Sequence, residues 1–146
     1  MEHPVPALEF AFEAAVSVSP RLSLGQVHGG ERRVIPITGG VVSGPLLTGR
    51  VVPGGADWQL VQPDGLIDLT ARYTIEATDG TLIGVVNRGL RHGPAGEAVD
   101  PALIYFRTSP VFEAPAGPHG WLARHIFVAT GERHQDGVLI RFFVVR

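Results

Sequence analysis

The sequence predicts an all-β antiparallel protein, and three observations favour strands over helices along the whole chain. Glycine and proline, with 19 and 12 of the 146 residues, interrupt almost every candidate helix. Apolar residues recur with period two, as between Ile67 and Glu76. Three Asp-Gly pairs, at 64–65, 79–80 and 136–137, separate such runs and favour tight hairpin turns. Many short strands joined by hairpins are typical of one barrel or sandwich domain, here residues 1–146.

The alternating runs predict eight to ten strands. The candidates are residues 7–16, 21–28, 32–37, 45–52, 57–62, 66–78, 81–88, 102–113, 121–132 and 138–145. The Asp79-Gly80 turn is predicted to join strands 66–78 and 81–88 into one hairpin. The stretch from Pro36 to Leu60 is rich in glycine and proline, and we expect it to form turns that frame a pocket. The irregular stretch 88–102 is expected to form a loop or a short helix over one mouth.

The last predicted strand is apolar on both faces apart from Arg141. Ile140, Phe142 and Val144 share one face, while Leu139, Phe143 and Val145 share the other. A strand of this kind needs cover on both sides. We therefore expect a homo-oligomer whose interface includes this strand.

Composition excludes several classes of function. The net charge of -2 and the absence of basic runs longer than two residues argue against a nucleic-acid partner. Without cysteine there is no disulfide, thiolate metal site or cysteine nucleophile. The six histidines form neither His-x-His nor His-Glu-x-x-His, so no metal is predicted. No phosphate loop or nucleophile elbow occurs, and we expect no cofactor.

The chain also lacks sequence signals for export or for a membrane partner. No basic segment is followed by an apolar run at the N-terminus, and no run approaches about 18 apolar residues. The expected location is the cytoplasm.

The tripeptide Asp57-Trp58-Gln59 follows a glycine-rich segment. Alternation places Asp57 and Gln59 on one strand face and Trp58 on the other. One interpretation is an ordinary strand entry, in which Asp57 caps its own turn and Trp58 packs in the core. In the other, Asp57 lies at a barrel mouth and faces a ligand as a base or hydrogen-bond acceptor.

Arg72 lies in the middle of the predicted strand 66–78, on its polar face. If this face points outward, Arg72 is a solvated residue in an ion pair of little energetic value. If it points inward, the guanidinium requires an acid or an anionic ligand, with Asp57 or Glu76 as the expected acid. We predict that Arg72 is largely buried on the wall of a pocket that also presents Asp57 or Gln59.

Trp58 and Gln59 are candidate ligand contacts, and four further side chains join them. Tyr73 and Trp121 are expected among the aromatic walls of the pocket. Asn87 either caps the end of its strand or contacts a ligand. Arg107 and its neighbour Phe106 must point to opposite faces, and the sequence leaves open which of them lies inside.

Several sequence blocks resemble one known family. "PGGADWQ", "ARYTIEATDG", "NRGLRHG", "YFRTSPVFE" and "WLARHIFVATGER", in this order, are similar to the DUF3237 family, also called UPF0311. The resemblance runs from about Arg32 to the C-terminus. It implies a single antiparallel barrel like those of calycins and lipocalins. It implies little about chemistry, because the function of the family is largely unknown.

These observations lead to three hypotheses of function. The first is a barrel that binds a small organic molecule bearing a carbonyl or a carboxylate. Such a barrel could be a cofactor-free isomerase, cyclase or lyase with Asp57 as acid–base group and Arg72 as electrostatic stabiliser. The second is a non-catalytic carrier with the same pocket. The third is a structural subunit whose barrel is filled by side chains.

Overall fold

The computed structural model describes residues 2–94 and 99–146 and contains nine β-strands. They are β1 (Leu8–Val18), β2 (Leu22–Val27), β3 (Gly30–Ser43), β4 (Gly49–Val61), β5 (Ile67–Ala77), β6 (Leu82–His92), β7 (Tyr105–Glu113), β8 (Phe127–His134) and β9 (Gly137–Val145). Two short 3₁₀ helices cover Pro101–Leu103 and Gly120–Arg124. Within this described part, no helix has the length and apolar character needed to cross a membrane.

The strands form a closed antiparallel barrel. Strands β3 to β9 pair in chain order, β9 pairs with β1, and β1 pairs back with β3. This ring contains eight strands, and β2 is attached outside it along β3. Closure satisfies the strand edges that an open sheet would leave unpaired. The prediction of an all-β antiparallel barrel is therefore confirmed.

Two of the predicted hairpin turns define the local register. Residues 66–88 form the adjacent antiparallel strands β5 and β6, with Asp79-Gly80 in the turn between them. The Asp79 carboxylate accepts a hydrogen bond from the backbone N–H of Thr81 at 3.0 Å. Gly80 adopts a φ of 89°, which glycine tolerates without steric cost. The turn between β8 and β9 lies one residue earlier than predicted, at Gln135-Asp136, because His134 pairs with Gly137.

The glycine-rich segment before Asp57 is a bulge and not a turn. Residues 45–52 and 57–62 were expected to be separate strands, whereas β4 runs unbroken through most of this region. In its pairing with β5, the next paired residue of β4 after Val52 is Ala56. β4 therefore advances by four residues where β5 advances by only two, and the extra residues of β4 form the bulge. A Cβ on Gly55 would lie 2.5 Å from the carbonyl oxygen of Arg72 and 2.6 Å from the Cβ of Tyr73. The missing side chain therefore allows the bulge to fold against β5.

The remaining boundaries differ from the sequence prediction around the loops. The stretch 88–102 is strand as far as His92, and among its described residues a short 3₁₀ helix begins at Pro101. Residues 95–98 of that predicted loop lie outside the described residues. The predicted strand 121–132 begins only at Phe127, because Gly120–Arg124 is helical.

Aromatic side chains fill one end of the barrel. Phe12 stacks on Phe142 with ring centroids 4.6 Å apart, and Phe112 packs edge-on against Phe127 at 4.9 Å. Leu122, from the second 3₁₀ helix, is 1% exposed and lies against this cluster. This end is a solid apolar core, so any interior site must lie towards the opposite end.

Strand β9 is buried on its inner face and partly exposed on its outer face. Ile140, Phe142 and Val144 are buried, whereas Leu139 and Phe143 are partly exposed. The edge-on contact of Phe143 with Phe10, at 5.7 Å, covers part of this outer face. The expected homo-oligomer stays a prediction.

Candidate functional site

Polar side chains converge inside the open end of the barrel. Strand alternation turns seven of them inward from five strands. They are Asp57 and Gln59 on β4, Tyr73 on β5, Asn87 and Arg91 on β6, Thr108 on β7, and Arg133 on β8. Gln59, Tyr73, Asn87 and Thr108 are buried, Asp57 and Arg91 are half-buried, and Arg133 is exposed at the mouth. Polar groups that converge on a pocket in this way are the default signature of a binding site.

The space beside these residues has two parts. An inner cavity of about 40 Å³ is lined by Asp57, Tyr73, Asn87, Thr108 and Arg133 together with apolar residues of the wall. Since roughly 10–15 Å³ accommodates one water, the inner cavity has room for a few waters or one small group of a ligand. An outer chamber of about 1030 Å³ opens beyond it, and Phe106 and Arg133 line both spaces. Phe106 and Arg133 therefore lie where the two spaces meet.

Asp57 is held at the inner cavity by one hydrogen bond. Its Oδ2 accepts from the Nε2 of Gln59 at 2.9 Å, while Oδ1 is buried and has no partner within the described residues. Burial raises the pKa of Asp57, and the Gln59 hydrogen bond and the charge of Arg133 only partly oppose this effect. A carboxyl with a raised pKa and one oxygen without a partner in the described residues is suited to take up or release a proton.

Four other buried polar atoms lack a partner within the described part of the chain, and all belong to the inward-facing residues. They are the Tyr73 hydroxyl, Asn87 Oδ1, Arg91 Nε and Thr108 Oγ1. Each such atom costs about 1–3 kcal/mol when it is left unsatisfied. Their concentration at one end of the barrel indicates a surface that is built to meet a polar ligand or ordered water.

Tyr73 lies on the cavity wall and is 6% exposed. Burial raises the pKa of the Tyr73 phenol well above its usual value. The hydroxyl therefore remains protonated at physiological pH and can donate a hydrogen bond to a ligand oxygen.

The prediction that Arg72 is buried in the pocket is wrong. Arg72 is exposed, on the outer face of β5, and pairs across the sheet with Ala56 and Val86. The apolar face of β5 turns inward because it packs in the core, which leaves the polar face in solvent. That outer face carries the ordinary surface ion pair of Glu76 with Arg50, at 3.0 Å.

Three other candidate contacts lie away from the cavity. Trp58 is 48% exposed on the outer face of β4, opposite Asp57. Arg107 also points outward, where its guanidinium lies 5.5 Å from the Tyr105 ring, while Phe106 occupies the interior. Trp121 packs against Phe127, with ring centroids 5.6 Å apart, at the filled end of the barrel.

Asn87 faces the cavity and is 2% exposed. It lies in the middle of β6, paired with Ala71 and Pro110, because the strand continues to His92. The interpretation of Asn87 as a strand-end cap is therefore wrong.

Sequence reasoning did not single out Thr108, Arg91 or Arg133. Arg91 shares its face with Ile83, Val85 and Asn87, so extending the period-two pattern of β6 would have placed it inside. Thr108 and Arg133 became recognisable only once the inward faces of β7 and β8 were known. The described residues contain no cluster of three histidine or acidic side chains suited to a metal ion.

Comparison with known proteins identifies the family of this chain. The family described as protein of unknown function (DUF3237) matches residues 6–145. The chain belongs to this family. A UPF0311 protein of Bradyrhizobium diazoefficiens is 44% identical over 140 residues, which cover 90% of this chain and 91% of that protein.

Solved structures share the fold. The crystal structure of a conserved protein of unknown function from Rhodopseudomonas palustris superposes with a TM-score of 0.93 at 40% identity, covering 99% of this chain and all of that one. A hydroalkoxylation enzyme of Penicillium herquei is 33% identical over 78 residues, which are 53% of this chain and 52% of that enzyme. The structure of an enzyme from the same fungus has a TM-score of 0.78 at 23% identity, covering 100% of this chain and 99% of that one.

Proposed function

We propose that the protein binds a small organic molecule bearing a carbonyl or a carboxylate and catalyses a cofactor-free proton transfer at carbon, most plainly a cyclisation. The observation that carries the proposal is the buried Oδ1 of Asp57 at the inner cavity, which has no partner among the described residues. A carboxyl in this setting has the geometry and the raised pKa of a general acid or base. Isomerases, cyclases and lyases share the need for such a group.

The similarity to the hydroalkoxylation enzyme of Penicillium herquei supports one reaction type among these, hydroalkoxylation. Hydroalkoxylation adds an alcohol O–H across a C=C bond: the oxygen loses its proton, a C–O bond forms, and the second carbon gains a proton. No electron is transferred, so no redox cofactor is required. In this protein, Asp57 would move the proton, while the Tyr73 hydroxyl would donate a hydrogen bond to the carbonyl oxygen as negative charge develops there.

A hydroxylated enone tests this chemistry directly. We would supply 2′-hydroxychalcone, whose phenol adds across the C=C bond beside the carbonyl to give a flavanone. The reaction is followed by absorbance, and chiral chromatography measures the enantiomeric excess of the flavanone, which is zero for the spontaneous reaction. The wild-type protein is expected to accelerate ring closure and to favour one enantiomer. Asp57→Asn is expected to lose the acceleration, whereas Arg88→Gln, on the outer face of β6, is expected to retain it.

The alternative of a carrier protein predicts a different result. Binding of 2′-hydroxychalcone, detected by saturation-transfer NMR, without acceleration or enantiomeric excess would contradict the catalytic proposal and favour the carrier. Full activity of Asp57→Asn would also overturn the role assigned to Asp57.

A further inference from the structure

Two arginines face the outer chamber without a carboxylate partner in the described part of the chain. Arg91 comes from β6 and Arg133 from β8, and Arg133 also lines the inner cavity. Five other arginines form ion pairs with acids: Arg33, Arg50, Arg88, Arg141 and Arg146. Arg91 is half-buried and Arg133 is exposed at the mouth of the barrel, so both guanidiniums can reach a ligand in the outer chamber.

The surroundings of Arg91 make this arrangement unfavourable in the absence of an anion. Its Nε is buried and has no hydrogen-bond partner within the described residues, and its guanidinium lies 5.9 Å from the Phe106 ring centroid. Burial, and secondly the charge of Arg133, lower the pKa of Arg91. Two cations close enough to repel each other in a partly buried site favour a negative group between them.

The nearby acids form no ion pair with either arginine within the described residues. Asp57 is the acid on the inner side; it lies close enough to Arg133 for the two charges to interact, and its Oδ2 accepts a hydrogen bond from Gln59. Glu132 lines the outer chamber, but its carboxylate pairs with His134 at 3.4 Å and with Arg141 at 3.7 Å. A further negative group is therefore favoured where the outer chamber meets the inner cavity.

We propose that Arg91 and Arg133 together bind the carboxylate of an organic acid whose apolar body lies in the outer chamber. Guanidinium groups match a carboxylate with paired N–H donors. Ile67, Ile104 and Phe106 supply the apolar wall beside them. The inference deepens the proposed function, on which it rests for the location of the ligand, because it identifies the substrate class as an apolar carboxylate.

Matched charged and neutral probes test the inference. Cinnamate and cinnamamide have the same shape and differ in the anionic group, and their affinities are measured by titration calorimetry with NMR as a second method. Wild-type protein is expected to bind cinnamate more tightly than cinnamamide. Arg91→Gln and Arg133→Gln are each expected to weaken cinnamate binding by about ten- to a hundredfold and to leave cinnamamide nearly unchanged. Arg88→Gln, three residues from Arg91 and on the opposite face, is the matched control.

Several results would overturn the inference. They are equal affinity for the two probes, no binding of cinnamate at millimolar concentration, or an equal loss in Arg88→Gln. Circular dichroism and thermal melting establish that each variant is folded, and Arg133→Lys, which keeps the charge, should recover part of the affinity if Arg133→Gln loses it. The outcome is separable from that of the proposed function, because cinnamate binding does not depend on Asp57 chemistry and 2′-hydroxychalcone carries no carboxylate.

Discussion

Replacing Asp57 by asparagine should make the protein more stable at neutral pH while it removes proton transfer. Asparagine has nearly the same shape, and its side-chain oxygen can still accept the hydrogen bond that Gln59 donates at 2.9 Å. It cannot ionise. The substitution therefore separates the energetic effect of the buried charge from that of packing.

The sign of the effect follows from the pKa of Asp57, which burial raises in the folded state. Below the carboxyl's ordinary pKa the group is protonated in both states, and its full contribution to stability is present. That contribution is lost as the pH rises through the raised pKa of the folded protein, because the buried carboxylate must then ionise. Each pH unit of elevation corresponds to about 1.4 kcal/mol.

The expected shift in melting temperature can be worked from the chain length. An unfolding entropy of about 2.1 cal/mol/K per residue gives roughly 0.3 kcal/mol/K for 146 residues. Each kcal/mol of stability gained at neutral pH then raises the Tm of Asp57→Asn by about 3 °C. The gain should shrink towards zero as the pH approaches about 4.

Calorimetric melts of both proteins across this pH range provide the assay, with Asp136→Asn in the exposed turn before β9 as control. The rate of 2′-hydroxychalcone cyclisation should fall by about 10²- to 10⁴-fold in Asp57→Asn. A variant that is less stable than wild type at neutral pH, or a Tm difference that does not change with pH, would refute the reasoning about the buried charge.

Three further predictions concern the barrel. Phe142→Ala should destabilise the fold by about 3–5 kcal/mol in urea titrations, because Phe142 is fully buried and stacked on Phe12; a loss under about 1 kcal/mol would contradict the solid core at that end. Thr108→Val should change stability by less than about 1 kcal/mol, or increase it, since the buried Thr108 hydroxyl has no partner within the described residues; a large loss would mean that this hydroxyl is satisfied in the fold. Light scattering should detect a homo-oligomer, and Leu139→Lys together with Phe143→Lys on the outer face of β9 should weaken it; a wild-type monomer at micromolar concentration would disprove this prediction.

The fold class and the β5–β6 hairpin could be predicted from the sequence. Period-two alternation and the Asp79-Gly80 pair are local properties, since side-chain direction and turn geometry depend on neighbouring residues. For the same reason the sequence placed Asp57 and Gln59 on one face and Trp58 on the other. The bulge at Gly54-Gly55 was mistaken for a turn because both need glycine, and only the pairing partner distinguishes them.

The tertiary structure decided which face of each strand lies inside and which strands meet. Arg72 was assigned to the pocket because alternation separates two faces without saying which one closes on the core; packing turned the apolar face of β5 inward. Arg91 and Arg133 lie far apart in sequence and line the same chamber because only β7 separates their strands, β6 and β8, in the sheet. A polar cavity drawn from several strands is a property of closure, and no local pattern encodes it.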